Sequence, residues 1–395
     1  MNFWLVKAAA AFAFAPLWSL GVRAWIAPRL ATWNGPRLVA IFALSRLVPC
    51  TLAMVVLQLG YPQDAMQWGR IAQGLMWSPY SPGFNAMLTA LWWIVPSPIV
   101  FMIAMIGAET AAFAIVRRVL QGAPASRGTD LLVFWLVNPL SLFHIALNGQ
   151  DEALVLLFAS ITFWAVERRG PAAAGVSAAA GVLCTKVLGA AAAIPLFVRP
   201  ARDLAVGLGV FAGIVLPVIA ILVAAGVPML MFRAELHALT SGNIWVLPEL
   251  AGVSYTHAPV AECAVAAAAI AVALFVMRRR PLASSVDQSL RLTGVVGALF
   301  MLLSPKAPTA WLLMFLPGVF WLIGSTSGSV RAFLLFAFLP VAVFEPSLWF
   351  LFDQGARLDA VWWGRGAMLA ADGVLLAGYG WLAAQGLRRP PNPAA

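Results

Sequence analysis

Residues 38–59 read LVAIFALSRLVPCTLAMVVLQL, and residues 60–70 continue as GYPQDAMQWGR. The first stretch has the length of a membrane span, which takes about 20 mostly apolar residues. The second is a polar island at its end, and Asp64 is its acid. A carboxylate at the end of a span is costly unless it meets water or a partner, so an acid there marks a functional site. Both the fold and the function are read outward from this junction.

Composition extends the first reading to the whole chain. Of its 395 residues 62% are hydrophobic and only 10% charged, with a mean hydropathy of +0.90. Soluble domains carry about a quarter charged residues, so the class is an all-α polytopic membrane protein. Spans are expected at 3–20, 38–59, 97–116, 130–148, 152–167, 204–226, 259–277, 288–304, 309–323, 331–344 and 361–385. The apolar stretch 172–198, interrupted by Lys186 and Pro195, reads as two short helices that enter and return. The whole is one transmembrane domain, 1–387, of about 11–13 helices, with a disordered Pro-rich tail at 388–395. Residues 1–20 lack a small-residue cleavage site and read as a retained span or interfacial helix, not a signal peptide. Cys50, Cys184 and Cys263 lie in apolar runs with no metal-binding spacing, as small buried hydrophobes do.

The net charge of +10 is not a nucleic-acid signature. Basic residues stand in pairs and triplets between apolar stretches, the pattern that marks cytoplasmic loops. Arg117-Arg118, Arg168-Arg169, Arg199/Arg202, Arg278-Arg279-Arg280, Arg331 and Arg388-Arg389 then lie inside. The opposite face receives the Asp64 loop (60–84), the Asn148–Glu152 turn, a second loop at 227–258, the Ser304–Pro308 turn and 345–360. That face holds Asp64, Asp151, Glu152, Glu235, Glu249, Glu345, Asp353 and Asp359, eight of the fifteen acids, and His237 and His257. Two of the three lysines, Lys186 and Lys306, avoid the cytoplasmic clusters. A polar reaction chamber on the extracytoplasmic face fits this bias.

Five motifs carry candidate chemistry. After Asp64, residues 64–76 place Ala65, Trp68, Ile71, Ala72 and Leu75 on one side of a helix, which suits a helix lying in the membrane interface. Pro79, Pro82 and Gly83, on either side of Tyr80, then turn the chain back toward the membrane. In Asn138-Pro139…His144…Asn148-Gly-Gln-Asp-Glu152, Pro139 frees a carbonyl near position 135. His144 and Asn148, four apart, share a helix face; the Asn-Gly-Gln-Asp turn brings amide and carboxylate groups to the outer membrane surface, and Asp151 reads as well as the N-cap of span 152–167. Lys186 costs several kcal/mol in an apolar stretch unless paired or hydrated; a lipid phosphate and a structural carboxylate are both natural partners. Lys306, at the end of a span, either snorkels to headgroups or binds a phosphate there. His237-Ala-Leu-Thr-Ser-Gly-Asn243-Ile-Trp245 mixes donors with an aromatic platform, as a sugar pocket does.

The order of these pieces resembles the GT-C fold glycosyltransferases that use polyprenyl-phosphate sugars. The resemblance rests on Asp64, Gly74, Pro79-Tyr80 and Pro82-Gly83, then Asn138-Pro139, Gly149-Gln150-Asp151, Arg168-Arg169 and Lys186, then Thr240–Trp245. The middle block is similar to bacterial mannosyltransferase and family-87-like members. It implies inverting transfer of mannose or a similar hexose or pentose from a polyprenyl-phosphate donor to a lipid-linked or envelope-glycan acceptor. Asp64 is then the general base and Asp151 a second acid; Lys186, Lys306, Arg70 and Arg365 meet the donor phosphate. Gln150, Asn148, His144, Tyr80, His237, Asn243 and Trp245 bind sugar or acceptor. No cofactor is required, because the donor arrives activated. Many members carry paired acids in the first outside loop, whereas Asp64 stands between Gln63 and Gln67, which leaves metal dependence open. The expected setting is a monomer in a bacterial inner membrane. The rival reading is a lipid or lipid-linked-sugar flippase or transporter, which asks for inverted repeats and charges deep in several spans. No repeat is visible, and the acids gather at one face.

Overall fold

A computed structural model describes residues 23–30, 35–76, 78, 80–122, 125–226, 240–253, 256–279, 282, 284–351 and 362–388. The expected span 3–20, His237, and all but the first residue of the tail 388–395 lie outside these residues.

The described chain is all-helical, 82% helix with no strand. In order come α1 (Arg23–Leu30), α2 (Gly35–Val56), α3 (Gln63–Ala72), α4 (Pro82–Ile94), α5 (Ile99–Val119), α6 (Arg127–Leu147) and α7 (Glu152–Arg168). Then follow α8 (Pro171–Leu183), a 3₁₀ segment (Val187–Val198), α9 (Ala201–Ala224), α10 (Pro259–Arg278), α11 (Ser285–Leu303), α12 (Thr309–Gly324), α13 (Gly328–Trp349) and α14 (Gly364–Leu387). Eight of these, α2, α5, α6, α9, α10, α11, α13 and α14, are long and apolar enough to cross a membrane. The protein is a multi-pass helical membrane protein. In α9 and α10 the apolar side chains Leu216, Ile221, Val272 and Phe275 point outward, as they do where the surroundings are hydrocarbon, not water.

The centre is built by α5, α6, α7, α11 and α12, with α5 packed along α7 and α11 along both α12 and α14. Phe42 of α2 stacks on Phe113 of α5 at 4.1 Å and meets Trp135 of α6 edge-on. The stretch 172–198 divides as expected into two elements, α8 and the 3₁₀ segment, which pack against each other. Twelve residues of 3₁₀ helix are unusual, since such runs rarely pass four.

Three expectations are corrected. The apolar residues after Gly83 belong to a helix of 13 residues, α4, which is too short to stand out where spans of about 20 residues are sought. The span placed at 331–344 continues as helix to Leu351 through Pro346. A proline inside a membrane helix is tolerated when neighbours satisfy the freed carbonyl, and so Glu345 lies within the bundle, 1% exposed, instead of in a loop. Finally, charge does enter the middle of the spans, at Arg46 of α2 and Glu109 of α5, 1% and 0% exposed.

Candidate functional site

The site begins with a break in a helix. Pro139 cannot donate to the turn before it, and α6 is interrupted at Asn138. Asn138 Oδ1 accepts from the Ser141 amide at 2.7 Å and restarts the helix as a cap. The carbonyls released by the break are collected by Arg46. Its Nη2 donates to Trp135 O at 2.8 Å and its Nη1 to Leu136 O at 2.7 Å. The remaining N–H groups reach Ser45 Oγ, Ser141 Oγ and Glu109 Oε2, so all five guanidinium donors are used. Glu109 also accepts from Trp135 Nε1 at 2.9 Å. The sequence foretold the freed carbonyl but not the arginine that meets it.

Beyond the break, residues Leu142–Leu147 form a π-helical turn, a geometry frequent at functional sites. This wider turn replaces the α-helical spacing expected for His144 and Asn148, yet both line the same cleft. Gly149 then takes φ +66°, and a Cβ there would stand 3.1 Å from Met102, so only glycine makes this corner without strain. Gln150 follows, and its Nε2 donates to Asp64 Oδ2 at 2.5 Å across 86 positions of sequence.

Asp64 sits in the first turn of α3, where a carboxylate is favoured by the helix dipole. The apolar face of α3 is the expected one, with Ala65 and Trp68 buried and Ile71 and Ala72 partly so, although Leu75 is exposed. Trp68 packs edge-on to Phe84 and Phe101 and donates to Tyr80 Oη at 3.3 Å. Burial, and then the Asp151 carboxylate, push the Tyr80 phenol above its ordinary range. Ser81 bonds to Thr185 O by both amide and hydroxyl. A Cβ on Gly83 would stand 2.5 Å from Leu183 O, so the 81–84 turn lies directly on the chain leading to Lys186.

Lys186 has the carboxylate partners its second reading allowed. Its Nζ lies 2.7 Å from Glu152 Oε1 and 3.0 Å from Asp151 Oδ1. Asp151 occupies the N-cap position of α7 but makes no capping bond; its side chain turns to the lysine. Burial, then Glu152, raise the Asp151 carboxyl to about 6 against the pull of Lys186. The Lys186 and Lys306 ammonium groups lie 5.8 and 6.0 Å from the centre of one indole, Trp311. Burial and the neighbouring Lys186 lower Lys306 to about 8.

Pro62, Gln63, Asp64, Phe143, His144, Asn148 and Gln150 line a cleft of about 860 Å³, counting its open part, which Pro308, Ala310, Val343, Pro346 and Ser347 close. Asp64, Gln150, His144 and Asn148 are thus brought together, with Tyr80, Asp151, Lys186 and Lys306 beside them. Other candidates lie elsewhere. Arg70 is exposed on α3, and Arg365 donates to Glu249 O at 2.7 Å. Asn243 is fully buried, its amide bonded to Thr240 O and Pro305 O, and Trp245 donates to Leu303 O. The 240–245 turn therefore fastens the 302–307 chain that carries Lys306, a task that occupies the groups read as sugar contacts.

No protein-family model, no curated protein and no solved structure matches the chain.

Proposed function

We propose that the chain is an integral membrane glycosyltransferase of GT-C type, acting on a polyprenyl-phosphate sugar at the extracytoplasmic face. The observation that carries this reading is the contact of Asp64 with Gln150 in a cleft beside two lysines that share Trp311. Sugar transfer with inversion needs one base and one fixed positive charge. Asp64 takes the acceptor hydroxyl proton as the new oxygen–C1 bond forms. The bond from C1 to the phosphate oxygen breaks, and polyprenyl phosphate leaves with the electron pair. Gln150 orients the Asp64 carboxylate, and His144 and Asn148 offer contacts to the sugar. Lys306 meets the leaving phosphate at the rim, while Asp151 and Glu152 hold Lys186 behind it.

The reading is tested by supplying purified protein with polyprenyl-phosphate sugars, mannose first, and following products by mass. A protein that consumes none of them but moves lipid between the leaflets of vesicles is a flippase instead.

Lys306 adds a pH dependence of known sign. A lysine lowered from 10.5 to about 8 is charged below that pH and loses its charge above it. Since kcat/KM reports the free enzyme, kcat/KM for the donor falls as pH rises through about 8. Lys306→Arg, always charged, removes that alkaline limb. A wild-type profile flat from about pH 7 to 10 excludes a Lys306 of lowered basicity as the group that meets the donor.

A further inference from the structure

Four oxygen-bearing side chains from three elements meet behind one wall of the cleft. On α13, Val343, Pro346 and Ser347 line the cleft; at about 100° per residue Glu345 lies on the opposite side of that helix. There it accepts a hydrogen bond from Ser241 Oγ. Asp372 and Tyr379, two turns apart on α14, share a face. Aromatic side chains on a helix lean towards its N-terminus, which tilts the Tyr379 hydroxyl along the helix in the direction of Asp372. It lies within electrostatic reach of both Asp372 and Glu345. The Gly242 amide faces the Asp372 carboxylate without reaching hydrogen-bond geometry.

This set is short of positive charge. Glu345 and Asp372 are 1% and 0% exposed, and Tyr379 is 0% exposed. Among the described residues no lysine, arginine or histidine pairs with either acid. Both Asp372 oxygens and the Tyr379 hydroxyl are without a hydrogen-bond partner. Buried carboxylates are normally paired or bound to a cation. Two acids sharing a proton are joined by a hydrogen bond, as a protonated carboxyl donates to its neighbour, and no such bond links Glu345 to Asp372. A bridging cation answers each of these features.

We propose that Glu345, Asp372, Tyr379 and Ser241 hold a hard divalent cation, for which calcium is the best match. Two carboxylates balance its charge, and an all-oxygen donor set selects hard cations over the softer transition metals. No three described residues among His, Cys, Asp and Glu group as a metal site, so hydroxyls complete this one. Calcium accepts irregular protein ligation, whereas magnesium demands a near-ideal octahedron and keeps several waters. The ion ties the 240–243 turn to α13 and α14. That turn bonds to Pro305 O and the Ala307 amide, so the ion also sets the place of Lys306. The site stands independently of the sugar-transfer reading.

The test uses full-length protein in detergent, stripped with a chelator and titrated with CaCl2 or MgCl2 while Tm and bound ion per chain are measured. The expected result is a saturable rise in Tm with CaCl2, weaker with MgCl2, and one bound calcium. Glu345→Gln and Asp372→Asn lose both, and Tyr379→Phe, which keeps the packing, binds at least tenfold more weakly. If wild type shows neither bound ion nor a Tm rise, and its Tm follows pH alone, the acids hold protons and the proposal fails. It fails equally if Glu345→Gln and Tyr379→Phe bind calcium as wild type does.

Discussion

On the proposed sugar-transfer reading, replacing Asp64 by Asn lowers kcat by about 10²–10⁴-fold, the range that a positioned general base contributes, while the protein folds as before. The two halves of this expectation have separate causes. Asn has the shape of Asp and still accepts from Gln150 through its amide oxygen, so the link between α3 and the 148–151 turn survives. What stability changes is the charge at the head of α3, worth about 0.3–1 kcal/mol. The chemistry is lost because a carboxamide cannot take up the acceptor's proton. Turnover and thermal unfolding measured on the same preparation separate the two. Wild-type turnover in that variant removes Asp64 as the base.

Replacing Arg46 by Met destabilises the bundle by about 3–5 kcal/mol, the usual cost of removing one partner from a buried ion pair. Glu109, 0% exposed, is left without its cation, and the carbonyls of Trp135 and Leu136 lose a donor each. The double variant Arg46→Met with Glu109→Met discriminates between these losses. Were the ion pair the whole effect, removing both charges would restore stability. Arg46 instead makes four of its five hydrogen bonds to groups other than Glu109, so only part is recovered. Glu109→Gln alone then costs less than Arg46→Met. Full recovery in the double variant, read from unfolding in detergent, refutes this ordering. Because Arg46 closes the break before the His144–Gln150 segment, milder substitutions such as Arg46→Lys also weaken the Asp64–Gln150 contact.

The wrong expectations share a physical origin. Hydropathy averages over about 20 residues, and one charge in such a window scarcely moves the mean. Spans can therefore be placed without revealing Arg46 and Glu109, which carry charge into the middle of the bundle although the acids otherwise gather at one face. An expected span that ends at 344 leaves Glu345 in the loop that follows. In the structure α13 continues through Pro346 as far as Leu351. Asn243 and Trp245 also serve the fold, since their N–H groups donate to the carbonyls of Thr240, Pro305 and Leu303.

Local patterning was sufficient for the helical membrane class, for seven of the eight long spans within a few residues at their ends, and for the amphipathic face of α3. It also singled out Asp64, Gln150, Asp151 and Lys186, because a polar residue beside long apolar runs is costly wherever it falls. Partnership is another matter. That Lys186 goes to Asp151 and Glu152, that Arg46 reaches across to residues 109, 135, 136 and 141, and that Glu345 and Asp372 come within electrostatic reach of one another are long-range choices. They are made by which helix packs on which, and the price of burying a charge depends on that packing and not on the residues beside it in sequence.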